Sequence, residues 1–305
     1  MEIRYLKHKE IDKDKWDNCI EKAFNGIIYA YSWYLDIVSE NWDALIEDDY
    51  KTVFPLTQKK KYGTNYLYPP FFTQQLGVFS IDMLTDEKVE QFINSIPSKF
   101  KFVEIYLNKY NTPSDIVYQL KPNKTHELDL IVSYEQLYQK YSTNTKRNIK
   151  KAINQSVSIQ KNTSANEIIN LFRNNRGKDL KTLMENDYNR LNQLINMLIS
   201  KNKIEIWSAY NIKNELCAGV FFVNSNHKTI FLFSGRNAEA KENGAISYLI
   251  NQYIIENAQK DLIFDFEGSN DENLARFYKG FGSKECIYYQ LKINNLPWFY
   301  KILKK

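Results

Sequence analysis

From Trp42 onward, apolar and polar residues alternate in short runs, WDALIEDDYKTVFPLTQKKKYGTNYLY, broken by the polar turns DDY and KKKYGTN. Period-two alternation with β-branched residues predicts three strands. Past a loop containing Pro69 and Pro70 the period changes. In TDEKVEQFINSIP, Val89, Phe92, Ile93 and Ile96 recur at i, i+3, i+4 and i+7, which predicts a helix with one buried stripe. FKFVEIYL then reads as a strand. The same order returns at Ile204. IEIWSAYNIKNELCAGVFFVNSNHKTIFLFSGR predicts three strands with turns at NIKNE and NSNHK. GAISYLINQYIIENA predicts a helix with Ile246, Leu249, Ile250, Tyr253 and Ile254 on one face, and DLIFDFEG a strand. The two β-β-β-α-β cassettes begin roughly 160 residues apart and are about the same length, which points to an internal structural duplication. Architecture alone carries that reading, because the residue identities hardly match.

Between the cassettes, SYEQLYQKYSTNTKRNIKKAINQ predicts one long basic helix over 134–155. SANEIINLFRNNR and LKTLMENDYNRLNQLINMLISKN predict two more helices. The expected fold class is α/β with mixed central sheets, in two domains, 1–132 and 133–305, the linking helix belonging to the second.

Composition narrows the classes of function. The chain has 305 residues, enough for two ordinary domains, and its 43% hydrophobic and 25% charged residues are those of a globular protein, not a disordered one. A formal net charge of +5 permits anionic ligands but is too thin for a dedicated nucleic-acid binder. Cys19, Cys217 and Cys286 are widely spaced and odd in number, so no disulfide framework is implied. His8, His126 and His227 lack metal-ligand spacing. The start, MEIRYLKHKEIDKDKW, is charged throughout, unlike a signal peptide, and no apolar run has the length of a membrane span. A cytoplasmic, metal-free protein is expected.

An antiparallel run of strands, a helix and then a parallel strand is the order of the GNAT (N-acyltransferase) fold. Two such units joined by a basic helix resemble the FemABX-like transferases, a tandem-GNAT group. The residues that carry the resemblance are THELDL at 125–130, YSTNTKRNIKKA at 141–152 and DFEGSNDENLARFYKGFG near the C-terminus. YSWYLDIVSENWDAL, VFPL and PPFFTQQLGVF look like the first domain of the Fem-like acetyltransferases. The resemblance covers nearly the whole chain and implies two tandem GNAT-like domains. The activity it implies is transfer of an acyl group from an acyl-CoA to an amine acceptor held in a cleft between the domains. Two alternatives stay open. One is a Fem-type peptidyltransferase using aminoacyl-tRNA on a cell-wall precursor; the other is an inactive GNAT-fold binding protein.

The resemblance assigns roles. Aligned on YKGFGS, Tyr278 occupies the tyrosine that protonates the departing CoA sulfur. A phenol of pKa near 10 suits that task against a thiol near 8.5. The same helix could equally use Phe277, Tyr278 and Phe281 for packing alone. The tRNA-dependent enzymes carry F-K-x-G-F here. In Phe277-Tyr278-Lys279-Gly280-Phe281 the lysine is displaced by one residue, about 100° around a helix, which disfavours tRNA and favours a thioester. The CoA diphosphate would sit at a helix N-terminus in SGRNAEAKENGAIS, with Arg236, Lys241, Asn243, Gly244 and Ala245 around it. Of the family's phosphate-binding consensus, KENGAI keeps only the middle glycine, and an Asn-Gly cap is also ordinary helix chemistry.

Asp265 and Glu267 alternate with Phe264 and Phe266, so the carboxylates are expected on one strand face, with Glu267 nearest the ligand-binding end. Glu267 is the candidate base for the amine, or else it caps the turn GSNDEN. The carbonyl oxyanion would be held by backbone N–H groups near SGRN, where a bulge is expected. Lys146, Arg147, Lys150 and Lys151 form a cationic stripe. Arg147 and Lys150 could dock an acidic group of the acceptor, although such a stripe is more often a solvated face. In the first domain Tyr68, Gln74 and Gln75 look like polar groups for the acceptor.

Overall fold

The computed structural model describes residues 2–61, 63–114, 118–180 and 182–296. The chain forms two compact units, residues 1–123 with 287–305, and residues 124–286. It passes from the first to the second within β8 (Gln119–Asp129) and returns within β14 (Lys284–Asn294). The division falls at 123/124, not near 132, and the last strand rejoins the first unit because its backbone pairs with β7 (Phe100–Tyr106).

The first unit opens with β1 (Ile3–Leu6), α1 (Lys13–Lys22) and α2 (Ser32–Val38), followed by β2 (Asp43–Glu47), β3 (Thr52–Leu56), β4 (Gln58–Lys61), β5 (Thr64–Leu67), β6 (Phe79–Ser80) and α3 (Asp86–Asn94). β1, β2, β3 and β6 make an antiparallel sheet. β4 pairs with β5, which runs parallel to β7. The three strands expected over this stretch are four, because the run TVFPLTQKKK divides at Thr57, whose hydroxyl donates to Tyr68 O at 2.6 Å. α3 buries Val89, Phe92 and Ile93 against Phe54, Leu56, Val103 and Ile105, as its periodicity requires.

The second unit contains α4 (Tyr134–Gln139), α5 (Thr143–Asn154), β9 (Ser158–Lys161), α6 (Ala165–Arg173) and α7 (Glu185–Ser200). These are followed by β10 (Ile204–Tyr210), β11 (Leu216–Ser225), β12 (Lys228–Arg236), α8 (Ala238–Asn243), α9 (Ala245–Asn257), β13 (Ile263–Gly268) and α10 (Glu272–Lys279). Its sheet runs β8-β13-β12-β11-β10-β9 and is antiparallel except between β12 and β13. The stretch expected as one helix over 134–155 is two. Ser142 stops the first and caps the second: its Oγ accepts from Thr145 N at 3.1 Å, and its N–H donates to Gly280 O at 2.8 Å. A serine that can bond its own neighbouring backbone favours such a break.

The core of this unit gathers Trp207, Phe222, Tyr253 and Phe264, with Phe222 stacked on Tyr253 at 3.9 Å. Burying aromatic rings of this size contributes several kcal/mol, at about 25 cal/mol per Å² of apolar surface. Among the described residues no helix is long and apolar enough to cross a membrane, and no cluster of His, Cys, Asp and Glu could hold a metal ion.

Candidate active site

β12 and β13 pair only between Lys228–Ile230 and Ile263–Asp265, then diverge. β12 also carries an extra residue against β11, since Phe221 faces Phe233 while Phe222 faces Phe231, leaving Leu232 as a bulge. The irregularity expected near SGRN therefore lies earlier, at Leu232. A bulge beside a splay turns backbone polar groups away from the ladder, toward the end of the sheet where open α/β folds bind ligands.

α10 packs its aromatic residues at this opening. Asp271 caps the helix by accepting from Leu274 N at 2.9 Å, and this cap sets the phase that turns Tyr278 inward. Tyr278 is 5% exposed, with its ring 4.9 Å from Phe266, 6.4 Å from Phe231 and 6.3 Å from His126. Burial raises its pKa well above that of a free phenol, and the charges of Glu267 and Asp265 push it the same way. Tyr278 therefore keeps its proton at neutral pH. Its glycine neighbours serve packing: a β-carbon on Gly280 would come 2.4 Å from Thr145 Oγ1, so α10 can close onto the start of α5 only with glycine there.

The two carboxylates do not share one environment. Asp265 is 1% exposed and fully engaged: Oδ1 accepts from Thr125 Oγ1 at 2.7 Å and from Glu267 N at 2.9 Å, and Oδ2 from Lys228 Nζ at 3.0 Å. By capping the amide two residues on, Asp265 turns Glu267 into the left-handed region at φ 62°, and β13 slips register against β8. Strict alternation ends there, so Glu267 is half-buried while Asp265 is locked.

Lys228 also reaches Glu127 Oε1 at 2.7 Å. Burial works against its charge, but the Asp265 and Glu127 carboxylates more than offset this and hold the ammonium above its ordinary pKa. The first three residues of THELDL each take a partner on another strand or its following turn: Thr125 bonds Asp265, Glu127 bonds Lys228, and His126 through Nδ1 bonds Ser269 Oγ at 2.6 Å. None of these, nor Lys228, was marked from sequence as a site residue. The available signal was three consecutive polar side chains inside an otherwise strand-like run.

The expected diphosphate cradle is closed. KEN of KENGAI is the last part of α8, not a loop. Gly244, at φ 78°, joins α8 to α9, and a β-carbon on it would lie 2.3 Å from Asn148 O in α5. Ala245 N donates to Asn243 Oδ1 at 2.9 Å, and Asn243, Gly244 and Ala245 are all buried. Arg236 and Lys241 are exposed. The five residues are not brought together on one accessible face.

On α5, Arg147 and Lys150 are exposed, and Arg147 bonds Asn144 Oδ1 within its own helix at 2.6 Å. In the first unit, Gln75 is buried and spent internally, donating to Gln74 Oε1 at 2.7 Å and accepting from Lys109 N at 3.0 Å. Tyr68 and Gln74 border a cavity of about 10 Å³ beside Thr73, space for one water. Thr73 Oγ1 and Gln74 Nε2 are buried without hydrogen-bond partners. A larger opening of about 530 Å³ in the same unit, lined by Ile93, Phe100, Tyr118 and Lys292 among others, includes none of the expected residues.

Against solved structures, the chain matches FemX over 100% of both chains at 12% identity, with a TM-score of 0.70. The fold is that of FemX. This FemX-like fold is also shared by L-PGS from Bacillus licheniformis, with a TM-score of 0.56 at 12% identity over 96% of this chain and 94% of that one. The C-terminal domain of a putative lysylphosphatidylglycerol synthetase from Agrobacterium fabrum matches with a TM-score of 0.57 at 8% identity, over 93% and 92%. At these identities the likeness is one of fold. No family model matches the sequence, and no curated protein matches it significantly.

Proposed function

We propose that the chain is a Fem-type transferase that moves an aminoacyl group from a tRNA ester to an amine at the splayed end of the second unit's sheet. Its two units are then tandem GNAT-like domains, of which the second carries the chemistry. The observation that carries this reading is the closure at Gly244. A CoA diphosphate needs free N–H groups at the start of α9, and the first of these, Ala245 N, is spent on Asn243 Oδ1, while Asn148 O packs against the turn at Gly244. An ester on RNA makes no such demand. The cationic stripe Lys146, Arg147, Lys150 and Lys151 along α5 suits the phosphates of such a donor.

The chemistry fits the phenol. When an amine displaces an ester, the leaving group is a ribose alkoxide, a far stronger base than a thiolate of pKa about 8.5. A tyrosine whose pKa is raised by burial gives its proton readily to an alkoxide and only reluctantly to a thiolate. Glu267, half-buried, is assigned the proton that an ammonium must lose before it can attack. The amine of a cell-wall precursor is one acceptor class this allows.

A thioester donor is the second reading, and one contact favours it. Lys279, which stands one residue from the family's lysine position, is paired to Glu285 at 3.0 Å. The two readings separate in a binding panel of bulk aminoacyl-tRNA and acetyl-CoA. tRNA binding that weakens steeply with salt, without thermal stabilisation by acetyl-CoA, supports the ester donor; the reverse supports the thioester.

A further inference from the structure

His126 stands out among the buried polar groups of the second unit. It is fully buried on β8, its Nδ1 bonds Ser269 Oγ at 2.6 Å, and its Nε2 is buried with no hydrogen-bond partner. Orphaned buried nitrogens are uncommon and costly in folded proteins, so each calls for a reason.

The surroundings of Ser269 fix the tautomer. Ser269 Oγ has two carbonyl acceptors within 3.3 Å, Lys124 O and Glu267 O. If the serine donates to either, its oxygen is free to accept from His126 Nδ1–H. That arrangement satisfies both groups and leaves Nε2 with an open lone pair. The opposite arrangement, with the serine donating to Nδ1, strands a buried Nε2–H and leaves both carbonyls without that donor.

The open lone pair sits beside a phenol. The His126 and Tyr278 ring centroids are 6.3 Å apart and no direct hydrogen bond joins them, a separation that one bridging water spans. Tyr278 Oη has no hydrogen bond of its own among the described residues. We propose that Ser269, His126 and Tyr278 form a proton relay, with His126 as the positioning residue that receives the phenol's proton at Nε2. This rests on the acyl-transfer reading for the reaction it serves. As the amine attacks, its proton passes to the Tyr278 oxygen while the phenol's own proton moves to His126 Nε2. As the donor bond breaks, the imidazolium returns that proton through the phenol to the leaving oxygen. One proton leaves the amine, one reaches the leaving group, and both side chains end as they began.

The electrostatics agree. Burial comes first in lowering the His126 pKa, followed by Lys279 of α10 and Lys124 of β8, while Glu285 of β14 and Asp265 of β13 act the other way. The imidazole is therefore neutral at physiological pH, as a proton acceptor must be.

Nitrogen-15 NMR of the histidines in the full chain tests this without any substrate, so its result does not depend on the donor being identified. His126→Gln assigns the signals, since His8 and His227 remain. The expected result is an Nδ1–H tautomer that titrates below the ordinary histidine range. Tyr278→Phe is expected to shift the Nε2 resonance and raise the His126 pKa, because the water bridging the phenol to the neutral imidazole loses its anchor. Ser269→Ala is expected to release the tautomer preference. An Nε2–H tautomer in the wild type, or Nε2 signals and a His126 pKa indifferent to Tyr278→Phe, would overturn the relay.

Discussion

Lys228 and Asp265 form a buried ion pair, 3.0 Å from Nζ to Oδ2, Lys228 on the first and Asp265 on the last of the three rungs over which β12 and β13 pair. Lys228 is only 15% exposed and also holds Glu127, so a single ammonium balances two carboxylates across the short stretch where β12 and β13 pair. Lys228→Met leaves both carboxylates buried and unpaired. Breaking a buried pair in this way costs about 3–5 kcal/mol. Urea denaturation is expected to show a loss of that size with little change in m-value.

Gly244→Ala tests the closure over α9. The substitution adds a β-carbon 2.3 Å from Asn148 O and asks alanine to adopt φ 78°. Both effects act together, and a loss of about 1–3 kcal/mol is expected in the same denaturation measurement. Wild-type stability in this variant would mean that α5 is not seated on the turn.

Tyr278→Phe separates catalysis from packing. The ring stays, and the lost oxygen bonds nothing among the described residues, so stability is expected to change by less than about 0.5 kcal/mol. Turnover in the transfer assay is expected to fall about 10²-fold or more, the usual worth of a positioned proton donor, with donor binding unchanged. Equal loss of stability and turnover would return the residue to a packing role.

His126 makes the fold sensitive to acid. Its folded-state pKa lies below the unfolded value of about 6.5, so the unfolded chain binds more protons in between. Stability from this residue is therefore complete above pH 6.5 and declines as pH falls from there toward the folded pKa. Below that pKa the residue's loss is complete and adds no further slope. Thermal unfolding followed from pH 7.5 to 5 is expected to show this slope in the wild type and a shallower one in His126→Gln.

Much of the architecture was legible in the hydrophobic pattern, because it is set by local period. The stripe of Val89, Phe92 and Ile93 is the buried face of α3, and Leu249, Ile250, Tyr253 and Ile254 are the buried face of α9. The break at Ser142 was hidden because its partner, Gly280 O, is remote in sequence. The site was less legible for the same reason. Asp265, His126 and Lys228 take side-chain partners from 37 to 143 residues away, and no spacing rule reaches that far. Glu267 left its expected face because a side chain two residues earlier captured its amide. Tyr278 was singled out because an aromatic pair next to glycine at a strand's end is a local signal.

The most direct test of the account is a transfer assay offering labelled aminoacyl-tRNA and labelled acetyl-CoA to the same panel of amines at low salt. The account predicts label transferred to an amine from the tRNA ester, falling as salt rises, and none from acetyl-CoA. Transfer from acetyl-CoA at a saturable rate, with none from tRNA, would contradict it.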